Sequence, residues 1–176
     1  MRTLLSISMT GALAATPSLA AEMTVKVEIP RLTVAEYHRP YVAIWLERAD
    51  QSFVGNVAVW YDLKLKDNEG TKWLKDMRQW WRKSGRELSM PVDGLSSATR
   101  APGEHQVAVA LDKAPVKDLS AGEYHLVIEA AREVGGREIL RIPFQWPAKA
   151  GNNLSGDNLK IKGEHELGQV ALEIKP

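Results

Sequence analysis

The chain has 176 residues, with 23 Lys and Arg against 22 Asp and Glu, four His, six Trp and no cysteine, for a formal net charge of +1. This balance lacks the basic footprint of a nucleic-acid-binding protein, and the missing cysteines exclude disulfides, thiolate metal ligands and thiol catalysis. A chain of this length can bury one real core, to which the tryptophans are the obvious contributors.

Residues 1–21 read as a signal peptide. Arg2 gives a short positive start, Leu4 to Ala15 an apolar run, and Ser18-Leu19-Ala20 a small-x-small cleavage site. The pattern predicts export to the periplasm, with a mature chain starting at Ala21 or Glu22. Later apolar runs fall short of the ~18 residues of a spanning helix. Residues 22–176 are therefore expected to form a single domain that is not embedded in the membrane. No cysteine follows the apolar run to carry a lipid.

From Thr24 to Ile29, Val25, Val27 and Ile29 alternate with polar residues, the period of a half-buried strand, which Pro30 ends. Tyr41 to Glu47 is almost continuously apolar, so it reads as a central strand covered on both faces. Asn56 to Leu63 is a third strand, with Val57, Val59 and Tyr61 on one face and Ala58 and Trp60 on the other, before the turn at Asp67 to Gly70. The period then changes. Trp73, Leu74, Met77, Trp80 and Trp81 gather on one side of a predicted amphipathic helix, closed by Gly85 with Arg82 and Lys83 in its last turn. Such a stripe packs a helix onto a sheet; alternatively, Trp80 and Trp81 offer a stacking surface for a planar ring.

Met90 to Glu104 is small and polar, ends in a Pro-Gly turn signal, and reads as a loop. Within it Asp93, Ser96, Ala98 and Thr99 form D-x-x-S-S-A-T, which resembles the D-x-x-(S/T)-G-A-T acceptor motif of periplasmic proteins that carry FMN on a threonine. The resemblance implies that the Thr99 hydroxyl is esterified to the FMN phosphate. Asp93 would fix the loop through following backbone N–H groups, and Arg100 would set a guanidinium beside the phosphate. Ser97 departs from the motif, adding a Cβ where Gly is usual. The other reading of the stretch is an ordinary polar loop.

Beyond the loop, Glu104 to Leu111, Glu123 to Arg132 and Glu138 to Trp146 read as strands, the last two joined at Gly135-Gly136. Lys149 to Asn158 is a Gly/Asn/Ser loop, and Leu159 to Ile161 and Val170 to Ile174 are closing strands. Many short strands, one helix and no βαβ alternation predict a mainly β fold, an immunoglobulin-like antiparallel β-sandwich with one amphipathic Trp-rich helix inserted. His38, His105, His125 and His165 show no ligand spacing, and no G-x-S-x-G elbow is present. Glu129, Arg132 and Glu133 read as a charged cluster on or just beyond one strand.

The succession Y-V-A-I-W-L-E at 41–47, W-L-K-D-M-R-Q-W-W-R at 73–82, V-D-G-L-S-S-A-T-R-A-P-G at 92–103 and A-G-E-Y-H-L-V-I-E-A-A-R-E-V-G-G at 121–136 resembles a family of small periplasmic proteins. That family is known chiefly as a domain of unknown function, sometimes labelled flagellin-biosynthesis or hook-cap-like. The resemblance implies company with PepSY-type membrane proteins and flavin transferases, and a structural buttress role for Glu129 and Arg132. Two functions stay open. One is a non-catalytic electron carrier holding covalent FMN on Thr99, with Asp93, Ser96, Arg100, Trp80 and Trp81 around it. The other is a cofactor-free immunoglobulin-like binding or assembly module.

Overall fold

The computed structural model describes residues 21–147 and 159–175. The signal-peptide pattern up to residue 20 and the loop at 149–158 lie outside them. Strands β1 (Glu22–Ile29), β5 (Gly103–Ala110), β8 (Lys160–Lys162) and β9 (Gln169–Lys175) form one sheet, ordered β5-β1-β9-β8. Strands β2 (Tyr41–Arg48), β3 (Phe53–Tyr61), β4 (Ser96–Ala98), β6 (Gly122–Ala131) and β7 (Arg137–Trp146) form the other, ordered β4-β3-β2-β6-β7. The two sheets pack as the predicted mainly β sandwich.

Period-2 patterning sets the inner core. Met23, Val25 and Val27 of β1 and Val170 and Leu172 of β9 face Val42, Ile44 and Leu46 of β2 and Leu126 and Ile128 of β6. Strand β2 is apolar without a break because its other face is also covered. Tyr41, Ala43 and Trp45 join Val59, Tyr61 and Val127 in a second core beneath Leu74, Met77 and Trp80. In β3 one residue departs from simple alternation. The register with β2 shifts between Ile44 and Trp45, which pair with Ala58 and Asn56. The bulge leaves Val57 unpaired and turns it into the inter-sheet core, away from Val59 and Tyr61.

The tryptophan-rich segment is not the continuous helix that its spacing predicts. Lys66–Asp76 winds in 3-10 turns broken by positive φ at Asp67 and Asn68, and Met77 leaves helical geometry at φ −77°, ψ 72°. Only α1 (Arg78–Lys83) is α-helical. Glu129 of β6 explains the break. Its fully buried carboxylate accepts the N–H of Gln79 at 3.0 Å and of Trp80 at 2.8 Å. In an unbroken helix those two groups would bond the carbonyls of Lys75 and Asp76. A carboxylate from the sheet instead caps a new helix start, where negative charge suits the dipole.

The stretch read as a loop also contributes a strand. Ser96, Ser97 and Ala98 pair with Val59, Trp60 and Tyr61 in the one parallel ladder among the described strands. Ser97 is thus in extended backbone, where no glycine conformation is required.

Candidate functional site

At one end of the five-stranded sheet, the start of β2 and the ends of β3, β4 and β6 meet. Tyr41 lies opposite Ala131, and Tyr61 opposite Ala98. The Thr99 N–H carries the ladder one step further, to the Tyr61 carbonyl at 3.2 Å. Around this end lies a cavity of about 330 Å³, within the usual size of small-molecule sites. The β1–β2 connection lines it with Tyr37, His38 and Arg39, Asp62 follows β3 into it, and the helical segment adds Trp73 and Asp76. Thr99 and the β6–β7 turn, with Arg132 and Glu133, complete the wall.

Thr99 Oγ1 donates to Asp62 Oδ1 at 3.2 Å. Trp73 is 48% exposed and presents an uncovered indole. The Tyr41 hydroxyl donates to the Gly70 carbonyl at 3.0 Å. Burial raises the Tyr41 phenol well above its ordinary pKa, so it remains a neutral donor at all physiological pH. Burial likewise raises Tyr37. His38 lies between Glu36 at 2.9 Å and Glu133 at 3.5 Å. The Arg132 side chain, 6% exposed, holds Glu166 through Nε at 2.8 Å and Nη2 at 3.1 Å.

Of the six residues singled out in the sequence, Thr99 alone lines this cavity. Asp93 is exposed; its carboxylate accepts the Gly94 N–H at 3.1 Å, as a turn aspartate does, and it lines a separate groove between the turn before β4 and strand β5, with Val107 and Val109. Ser96 Oγ accepts the Val92 N–H at 2.9 Å and fastens the start of β4. Arg100 points elsewhere, with Nη2 3.4 Å from Ser97 Oγ and its guanidinium 5.2 Å above the Trp60 ring. Trp80 is fully enclosed and donates from Nε1 to Asn56 Oδ1 at 2.8 Å, so its ring has no free face for a ligand. Trp81 packs against it at 6.3 Å, away from the cavity.

Residues 22–169 match a family described as "Predicted periplasmic protein (DUF2271)", over most of the chain. The chain belongs to this family. No curated protein and no solved structure matches it. In this DUF2271 member the cavity residues that sequence reading passed over are Tyr37, Arg39, Tyr41, Asp62 and Trp73. Arg132 was read as part of a charged cluster and, from the family resemblance, as a structural buttress. The available signal was the Y-H-R-P-Y run at 37–41, which concentrates aromatic and basic groups in a connection, where a merely structural loop has no need of them. Among the described residues no group of His, Cys, Asp or Glu is arranged to hold a metal ion, and no helix is long and apolar enough to cross a membrane.

Proposed function

We propose that this protein carries FMN covalently on Thr99 in the periplasm and serves as an electron carrier, loaded by a flavin transferase and working beside a PepSY-type membrane reductase. The observation that supports this reading is the position of Thr99. The motif threonine follows the edge strand β4, its hydroxyl reaching Asp62 at the wall of a cavity that also holds a half-exposed tryptophan. The residues present fit such a group. Thr99 offers a hydroxyl, Trp73 an open aromatic face for a planar ring, and Tyr37, Arg39 and Arg132 line the same wall with donors.

When bound, FMN supplies the electron transfer, and the protein contributes position and electrostatics. Asp62 accepts a hydrogen bond from the Thr99 hydroxyl and would be placed to take up its proton as the phosphoester forms, while the phosphate bond to the donor's leaving group breaks in the transferase. The place beside the ring that sequence reading gave to Trp80 or Trp81 would fall to Trp73, because Trp80 is enclosed and Trp81 does not line the cavity. The short strand β4 anchors the acceptor on one side only, leaving Thr99 at the edge of the sheet within reach of a transferase.

The test is the intact mass of the protein purified from the periplasm of cells expressing its flavin transferase, with peptide mapping across residues 87–100. The expected result is the added mass of one FMN less water on Thr99, and a folded, unmodified Thr99→Ala variant. An unmodified wild-type mass beside an active transferase would overturn the reading. It would leave the cofactor-free binding module, for which the groove lined by Val57, Leu95, Val107 and Val109 is the available surface.

A further inference from the structure

We infer that Tyr37, Arg39 and Arg132 form an anion subsite in the wall of the Thr99 cavity, suited to a phosphate ester. The identity of the ester rests on the flavin reading above; the subsite itself rests on donors that the fold leaves unused. The Tyr37 hydroxyl and Arg132 Nη1 are both shielded from solvent and have no hydrogen-bond partner among the described residues, and both residues line the cavity. Buried donors are almost always paired in native proteins, so two orphans on one wall mark a place where an acceptor is missing.

Arg132 cannot turn away to find one. Its Nε and Nη2 are fixed by the two oxygens of Glu166, which is itself held by the Gly136 N–H at 2.8 Å. The turn packs so closely against the guanidinium that a Cβ at Gly135 would lie 2.4 Å from Arg132 Cζ. The remaining nitrogen of the planar fork is thus held in place before any ligand arrives, the preorganisation that anion recognition favours. Tyr37 is kept protonated by its burial, while the positive charges of Arg132, Arg39 and Arg31 act on it against that of Glu166.

The acidic residues of the cavity indicate why such a wall is needed. Asp62 accepts a hydrogen bond from Thr99, Glu133 faces His38, and Asp76 completes the lining. Esterification of Thr99 would remove the hydrogen bond to Asp62 and bring a phosphate charge near that carboxylate. Donors at Tyr37, Arg39 and Arg132 would offset that repulsion. Arg100 cannot do so from its position over Trp60.

The experiment uses unmodified protein made without a transferase, titrated with free FMN, riboflavin and inorganic phosphate and followed by flavin and tryptophan fluorescence. FMN is expected to bind about tenfold more tightly than riboflavin. Inorganic phosphate should compete with FMN and leave riboflavin binding unchanged. Tyr37→Phe and Arg39→Gln should each lower FMN affinity about fivefold without changing that for riboflavin, with unfolding curves confirming the fold. These variants spare the Arg132–Glu166 pair, whose loss would confound folding with binding. Equal affinity for FMN and riboflavin, or a preference untouched in both folded variants, would overturn the subsite. An FMN preference in a chain whose Thr99 stays unmodified beside its transferase would keep the subsite and overturn the covalent reading. A modified Thr99 without the preference would do the reverse.

Discussion

At Trp80 the indole is walled in by partners that only it can satisfy. Asn56 accepts its Nε1–H at 2.8 Å and in turn donates to Ser84 at 2.7 Å, while Gly85 lies so close that a Cβ there would fall 2.5 Å from the ring. Seven residues earlier, Trp73 is half in solvent at the cavity rim. Two tryptophans of one segment therefore have opposite roles. Trp80→Ala should destabilise the protein by about 3–5 kcal/mol through cavity formation and an orphaned amide, lowering Tm by roughly 10 °C. Trp73→Ala should cost under about 1 kcal/mol while weakening the proposed FMN binding. Thermal unfolding by circular dichroism checks both, and equal losses of stability would refute the division.

Among the elements, α1 depends on a residue far away in sequence. Glu129 is fully buried, accepts backbone N–H groups from Gln79 and Trp80, and pairs with Arg137 at 2.8 Å. A buried carboxylate of this kind is stabilising only while its partners stay in place. Glu129→Ala should cost about 3–5 kcal/mol by leaving two helix-start N–H groups and a guanidinium uncompensated. Hydrogen exchange at Gln79 and Trp80 should rise far more than at amides of the β1–β9 pair; protection unchanged at those two sites would argue against the capping role. The alternation along β6 already placed Glu129 opposite the inter-sheet face of Leu126 and Ile128. What alternation does not contain is the helix start that covers that outer face, which is why the sequence shows Glu129 only as one of a charged cluster and, by resemblance, a buttress.

Across the whole molecule, one carboxylate ties the two sheets together near the cavity. Glu138 of β7 accepts the N–H groups of Glu164 at 2.6 Å, His165 at 3.1 Å, Glu166 at 2.8 Å and Leu167 at 2.9 Å, all in the β8–β9 turn. Burial by itself would raise the Glu138 carboxyl, but the four N–H groups together hold it below the ordinary value of 4.5. A carboxyl whose pKa is depressed by folding contributes its stability above the unfolded value and loses it as pH falls through the folded one. Glu138→Gln should therefore be less stable than wild type at neutral pH, by about 1–3 kcal/mol. That gap should close in acid, below the ordinary 4.5. Urea unfolding midpoints measured across that range check the sign; a gap that widened in acid would contradict it. Because Glu166 also grips Arg132, the same clamp fixes one wall of the cavity.

Side-chain alternation marks most of the strands and the two-faced burial of β2, because it is local and survives without knowledge of neighbours. The sequence alone misplaced what depends on contacts between distant segments. The helix break needed Glu129, the inward turn of Val57 needed the β2–β3 register, and β4 needed a partner edge. The cavity is the extreme case. Tyr37, Asp62, Trp73, Thr99 and Arg132 carry no shared spacing, and they meet because the order β4-β3-β2-β6-β7 brings the ends of β3, β4 and β6 to one rim, where the β1–β2 connection and the helical segment also reach. Strand order is set by which hydrophobic faces can be buried together over the whole chain, and that decision belongs to tertiary structure.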